Sequence, residues 1–337
     1  MELRFFTSLS RLFTRVVPLT ALICAAGAVP AAAEVTLRAI SAFPKTMAFS
    51  ESFQRYVDYV NEHGKGVIQI NYVGGPEMFP QNQQVDAVRR GIVDMYYGAL
   101  AYYLGSMPEG DAWTGSTVTP MEARQNGGLA LMQKVGREKL GIHINGQLDG
   151  GMQFHIYTLK EPKRTADGAI DFTGLRIRTS PLYTSFFEGL GIVPVNMSIT
   201  DVYTGLERNS FDGTGWSAMG TEDLSWNKFL NYRINPGFFQ TDLAVATNPQ
   251  KYDSLSDEAK ALLDRLTAEY EQISYDFFKA EVQKSEAKLQ AEGMQYIELE
   301  GEAREKFSAA AFDSVWDRMR DAGSEYYEEL KAAYYPN

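Results

Sequence analysis

Thiol and imidazole are nearly missing from this 337-residue chain, which carries one cysteine, Cys24, and three histidines, His63, His143 and His155. A lone cysteine excludes an intrachain disulfide and a cysteine-based zinc site. The histidines form neither a His-x-x-x-His pair nor a His-Glu-x-x-His helix, so no metal site is expected. No glycine loop runs into Lys-Ser or Lys-Thr, and Gly189-Leu190-Gly191 lacks the third glycine of a dinucleotide fingerprint. Gly215-Trp216-Ser217-Ala218-Met219-Gly220 is one residue too long for a nucleophile elbow. Paired carboxylates of the glycosidase kind stay open, because separation in space cannot be read from sequence. Positive charge is also short: 32 Lys and Arg stand against 43 Asp and Glu, for a net charge of −11. That balance argues against nucleic acid and anionic membrane surfaces as partners, and an anionic ligand would need a local cation. The expectation is a non-enzyme without cofactor.

Long apolar runs are also absent, with one exception. Arg4, Arg11 and Arg15 precede an apolar stretch over 16–29, and Ala31-Ala32-Ala33 offers a cleavage site before Glu34. This reads as an export signal over 1–33. The stretch falls short of the ~20 apolar residues of a membrane-spanning helix, although an uncleaved anchor is the alternative. A lipid anchor on Cys24 is disfavoured, since Ala21-Leu22-Ile23 lacks small residues before it. Cleavage would remove the only cysteine and leave a soluble periplasmic chain of roughly 300 residues held by its core, for which two lobes are the default.

The remainder alternates strand and helix patterns. Apolar/polar alternation predicts a strand over 35–41, and Phe49, Phe53, Tyr56 and Val60 form a helical stripe within 46–63. Strand patterns recur at 67–73 and 93–97 around a helix over 81–90, implying a mostly parallel sheet with helices on both faces. A second α/β region has strands at 142–145, 154–158, 175–178 and 191–197, with helices after Pro181 and over 200–208. Residues 242–247 form a strand that could return to the first sheet. Ser256 is a plausible N-cap, with Asp257 and Glu258 at the positive end of the helix dipole. Ala259, Leu262, Leu266, Tyr270, Ile273 and Phe277 keep helical spacing toward Gly293. A helix over 256–293 would be about 57 Å long at ~1.5 Å per residue, enough to brace two lobes. A break near Gln272 is the alternative.

At Gly174 the sequence becomes specific. Gly174-Leu175-Arg176-Ile177-Arg178-Thr179-Ser180-Pro181 is followed by Gly189-Leu190-Gly191-Ile192-Val193-Pro194-Val195, then Asp201-Val202-Tyr203-Thr204-Gly205-Leu206 and Phe211-Asp212-Gly213. This series closely resembles the solute receptors of tripartite ATP-independent periplasmic (TRAP) transporters, of the dicarboxylate-receptor type. Gly66-Val67-Ile68-Gln69-Ile70 with Gly75, and Gly91-Ile92-Val93-Asp94-Met95, extend the resemblance over the whole chain after the signal. It implies an α/β, two-lobed periplasmic binding protein fold with a hinge, an interlobe cleft and a long helix spanning both lobes. The implied division is lobe I over 34–152, lobe II over 153–240, a return to lobe I over 241–255, the spanning helix over 256–293, and helices over 294–337 packing on the lobes. The implied function is capture of a small organic carboxylate and delivery to the transporter's membrane subunits, without membrane insertion. An exported enzyme or a sensory binding protein of similar fold is the alternative.

The resemblance implies that the ligand carboxylate pairs with the last residue of the Gly-Leu-Arg-Ile-Arg strand, Arg178. A guanidinium is independently suited to this, as a rigid fork of donors that stays charged. Thr179 follows it in the same motif. A second arginine common in the family aligns with Gln153, which brings no charge and suggests a single carboxylate or a neutral far end. Trp216 lies just past Asp212-Gly213, where its ring could stack on an organic body and its indole N–H find a partner. Phe43, Pro44, Phe79, Gln81, Gly98 and Tyr102 lie in first-lobe loops after strands. Phe239 sits near the hinge crossing with Phe238. An aromatic-rich cleft would favour an aromatic or branched monocarboxylate.

Overall fold

The computed structural model describes residues 34–336; the expected export signal and Cys24 lie outside the described residues. Eleven strands are described: β1 (Val35–Ser41), β2 (Ile68–Gly74), β3 (Met95–Ala99), β4 (His143–Leu148), β5 (Phe154–Thr158), β6 (Arg176–Thr179), β7 (Val193–Asn196), β8 (Gly213–Ser217), β9 (Tyr232–Phe238), β10 (Leu243–Thr247) and β11 (Gln295–Glu298). They form a five-stranded sheet, β2-β1-β3-β10-β4, and a six-stranded sheet, β11-β9-β5-β8-β6-β7.

Both sheets are mixed, where the sequence pattern implied a mostly parallel one. The cause is the way the chain crosses. Leaving the first sheet after β4, it enters the second as β5, antiparallel to β8 and β9. Leaving the second after β9, it returns to the first as β10, antiparallel to β3 and β4. The other pairings are parallel. The region after the long helix contributes not helices alone but also β11, which pairs with β9 at the edge of the second sheet.

Local sequence explains the layers. β10, Leu-Ala-Val-Ala-Thr, is buried along its whole length, as a central strand covered on both faces must be. The helix Ala48–His63 turns Phe53, Tyr56, Val57 and Val60 inward, following the stripe in its sequence. The two crossings are fastened together: Thr241 Oγ1 donates to the Asp149 carbonyl at 2.5 Å, and the Thr241 N–H to the Met152 carbonyl at 3.2 Å.

The long helix runs unbroken from Asp257 to Ala291, and the Ser256 hydroxyl accepts the Ala259 N–H at 3.1 Å. On its N-terminal half, Thr267 bonds Tyr56 and Glu271 pairs with Arg124, both beside the first sheet. On its C-terminal half, Ser285 donates to Glu222 and Glu286 accepts from Arg233, both beside the second. The helix therefore braces both sheets.

Candidate functional site

Between the sheets lies a cleft of about 700 Å³. The parallel strands β1 and β3 end toward it from one side and β6, β7 and β8 from the other, the edge where α/β sheets place ligands. Its walls are mostly apolar. Phe43, Phe49, Met47 and Tyr102 stand on the first-sheet side, with Phe154, Met197, Ile199 and Trp216 opposite. Phe43 anchors the aromatic wall, 4.9 Å from the Phe49 ring and 6.5 Å from Tyr102.

Arg178 lies at the second-sheet wall and is 4% exposed. β6 sets its direction: Ile177 enters the core, while Arg176 on the rim pairs with Asp212. The Arg178 Nε donates to the Met197 carbonyl at 3.0 Å and Nη1 to the Tyr183 hydroxyl at 3.2 Å. Tyr183 is held in turn by donating to the Gly215 carbonyl at 2.8 Å. The guanidinium carbon lies 5.9 Å from the Trp216 ring centroid. Among the described residues no carboxylate pairs with Arg178. Its fixed neighbours are neutral, and only two of the five guanidinium N–H donors are used by them. A buried cation in this state offers a strong, directional site for a carboxylate entering the cleft.

Six of the residues singled out from the sequence line the cleft: Arg178, Trp216, Phe43, Pro44, Gln81 and Tyr102. Gln81 is fixed by its amide donating to the Ala42 carbonyl at 2.7 Å. Burial pushes the Tyr102 hydroxyl pKa far up, so the group stays a neutral donor. The Trp216 indole N–H is buried and meets no acceptor among the described residues, in contrast to the partner expected for it.

The other five lie away from the lining, each for a local reason. Gln153 immediately precedes Phe154, which faces the cleft; alternation turns Gln153 away, to pack beside Gly237. Thr179 follows Arg178 and alternates in the same way, donating to the Ser180 carbonyl at 3.0 Å. Gly98 is wedged in the first sheet, where an added Cβ would come within 2.4 Å of the Ala42 Cβ. Phe79 packs against the first-sheet core. Phe239 takes a left-handed backbone, φ 54°, which sends its fully buried ring to Phe186 and Phe238.

Sequence reasoning did not single out Tyr183, Phe154, Thr241, Asp242 or the 196–200 turn, all of which line the cleft. The one available signal was position: Asn196 ends β7, one residue past Val195, the partner of Arg178 in the parallel register.

The three histidines line neither this cleft nor each other. His143 and His155 are buried, and burial lowers their pKa to about 4 and about 3, so both stay neutral. Among the described residues no group of three or more His, Cys, Asp or Glu could hold a metal ion, and no helix is long and apolar enough to cross a membrane.

A family model described as bacterial extracellular solute-binding protein, family 7, matches residues 39–322. The monocarboxylate 2-oxoacid-binding periplasmic protein of Nostoc sp. is 24% identical over 310 residues, covering 88% of this chain and 84% of the relative. The C4-dicarboxylate-binding periplasmic protein of Rhodobacter capsulatus is also 24% identical, covering 83% and 85%. A solved extracytoplasmic solute receptor of Bordetella pertussis that binds pyroglutamic acid superposes with a TM-score of 0.73 at 17% identity, covering 89% of this chain and 99% of that one. A solute-binding protein of Bordetella bronchiseptica, solved with calcium and picolinate, gives 0.68 at 23% identity, covering 90% of each chain. The two-lobed fold, the cleft and these matches agree: this chain belongs to family 7 of the bacterial extracellular solute-binding proteins, the periplasmic receptors of TRAP transporters.

Proposed function

We propose that this receptor captures a small organic monocarboxylate with an aromatic or branched body and delivers it to the membrane subunits of a TRAP transporter. The observation that carries the reading is Arg178: a buried guanidinium with neutral protein neighbours, facing a largely apolar cleft. The ligand carboxylate docks on Arg178, and its body rests between Phe43 and Tyr102 on one side and Trp216 on the other. Residues 34–152 with 241–255 act as one lobe and 153–240 as the other, turning about the crossings near Asp149 and Thr241. A ligand favours the closed form only by touching both lobes. Arg178 is the single Lys or Arg among the described residues that line the cleft, which points to one carboxylate rather than two. Pyroglutamic acid and picolinate, bound by two relatives of this fold, each carry a single carboxyl group.

The test is a thermal-shift screen of organic acids on the purified protein, followed by calorimetric titration of the best ligand into the native chain and Arg178→Ala. The variant is expected to lose about 2–5 kcal/mol of binding free energy, the cost of removing one side of a buried charge-assisted pair. Full affinity in Arg178→Ala would overturn the anchoring role.

A further inference from the structure

Arg178 is not the only ionisable group buried in the cleft wall. Asp242 lines the same cleft from the first-sheet side, at the crossing into β10, and is 2% exposed. Its Oδ2 accepts the Ala101 N–H at 2.7 Å, which fixes the carboxyl at the start of the turn Leu100–Tyr103. Among the described residues no Lys, Arg or His forms an ion pair with it. Tyr102 lies within the field of both groups: Asp242 raises its pKa and Arg178 lowers it. The cleft thus holds two buried groups of opposite charge on opposite walls, neither balanced by a protein partner.

A carboxylate in that position accepts hydrogen bonds and repels a second anion. From this opposition we propose that Asp242 is the specificity-determining residue for the far end of the ligand: it selects acids that carry a donor there, a hydroxyl, amide N–H or ammonium, and rejects dicarboxylates. This rests on the reading of Arg178 as the carboxylate anchor and adds the second pole. A bipolar ligand matches both poles and is in contact with both walls when the cleft closes. Burial pushes the Asp242 carboxyl up to about 7, so the selectivity is fully developed in mildly alkaline solution, where the group is ionised.

Calorimetric titration at pH 8 tests this with matched probes of increasing reach. Each set has a hydroxy acid, its methyl ether and its dicarboxylate: 4-hydroxybutanoate, 4-methoxybutanoate and succinate; 4-hydroxyphenylacetate, 4-methoxyphenylacetate and 4-carboxyphenylacetate. In the set whose reach fits, the hydroxy acid is expected to bind about tenfold or more tightly than both companions, the worth of a hydrogen bond to a charged group. Asp242→Asn keeps an oxygen for the Ala101 N–H and is expected to bind hydroxy acid and dicarboxylate within about threefold of each other, with an unchanged far-ultraviolet spectrum. Equal binding within every set, or a dicarboxylate as the tightest ligand of the native protein, overturns the Asp242 role and leaves Arg178 as anchor. Native-like discrimination in Asp242→Asn overturns it too. Failure of every acid to bind overturns the carboxylate reading and this inference together.

Discussion

Two arginines in the second sheet are equally hidden and differently treated. Arg233 on β9, 3% exposed, donates to Glu286 of the long helix and to Asn235, with its guanidinium 4.4 Å from the Tyr296 ring. Arg178 on β6, 4% exposed, has a carbonyl, a phenol and open cleft. The pattern of Arg233 recurs where the fold is braced: Arg124 pairs with Glu271 and Arg318 with Asp111, whose carboxylate side chains are each 1% exposed. A protein carboxylate accompanies the guanidinium at these structural joints and is withheld at the cleft. The two settings therefore answer differently to substitution.

The largest effect belongs to the joint. Arg124→Ala leaves the Glu271 carboxylate buried and is expected to lower unfolding free energy by about 3–5 kcal/mol, read by urea denaturation. Arg178→Leu removes a buried charge with no counter-ion, so the unliganded protein is expected to be at least as stable as the native one while ligand binding is lost. Equal destabilisation by the two substitutions would break the comparison, because it would mean that Arg178 is a structural arginine.

Asp149 provides a further contrast, as a buried carboxyl at the crossing that forms no ion pair among the described residues. It accepts from the Ser52 hydroxyl at 2.7 Å and from the Tyr97 hydroxyl. Burial raises its pKa from 3.8 to about 7, with the hydroxyl donors and the charge of Arg55 opposing. The folded state therefore holds a proton that the unfolded chain releases near 3.8. The stability this contributes is complete below that pH and is lost as pH rises through about 7. Buried neutral His143 and His155 act in the opposite sense, so the useful readout is the difference between native protein and Asp149→Asn. Between pH 5 and pH 8 the native chain is expected to lose about 2–3 kcal/mol relative to the variant, measured as unfolding free energy at each pH. Parallel pH profiles would show that Asp149 is ionised throughout.

The elements with strong periodicity and the place of Arg178 at the end of a strand were legible in the sequence. The Gly-Leu-Arg-Ile-Arg strand places one arginine on the rim, one isoleucine in the core and one arginine in the cleft, and Gly213 follows Asp212 because a Cβ there would come within 2.1 Å of the Tyr157 carbonyl. What was not legible depends on long-range pairing. β9 contains Asn235-Pro236-Gly237, which reads as a turn, and holds together because β5 and β11 flank it. β11 has four residues and a partner some sixty positions earlier. At the site, Gln153 and Thr179 differ from lining residues by one step of strand alternation, which depends on which sheet face meets the other lobe. Asp242 has no motif around it; only the return crossing brings it opposite Arg178.

The smallest expected effect sharpens the same contrast from the far end of the brace. Ser256 caps the long helix beside the first sheet, accepting the Ala259 N–H, while Asp257 and Glu258 already complement the helix dipole in the first turn. Ser256→Ala removes one hydrogen bond at a site that lines no part of the cleft, so it is expected to cost about 1 kcal/mol of unfolding free energy with ligand affinity unchanged. A helix that braces the lobes passively transmits nothing of such a change to the cleft. A measurable shift in affinity from Ser256→Ala would instead make the helix terminus part of the equilibrium between open and closed forms.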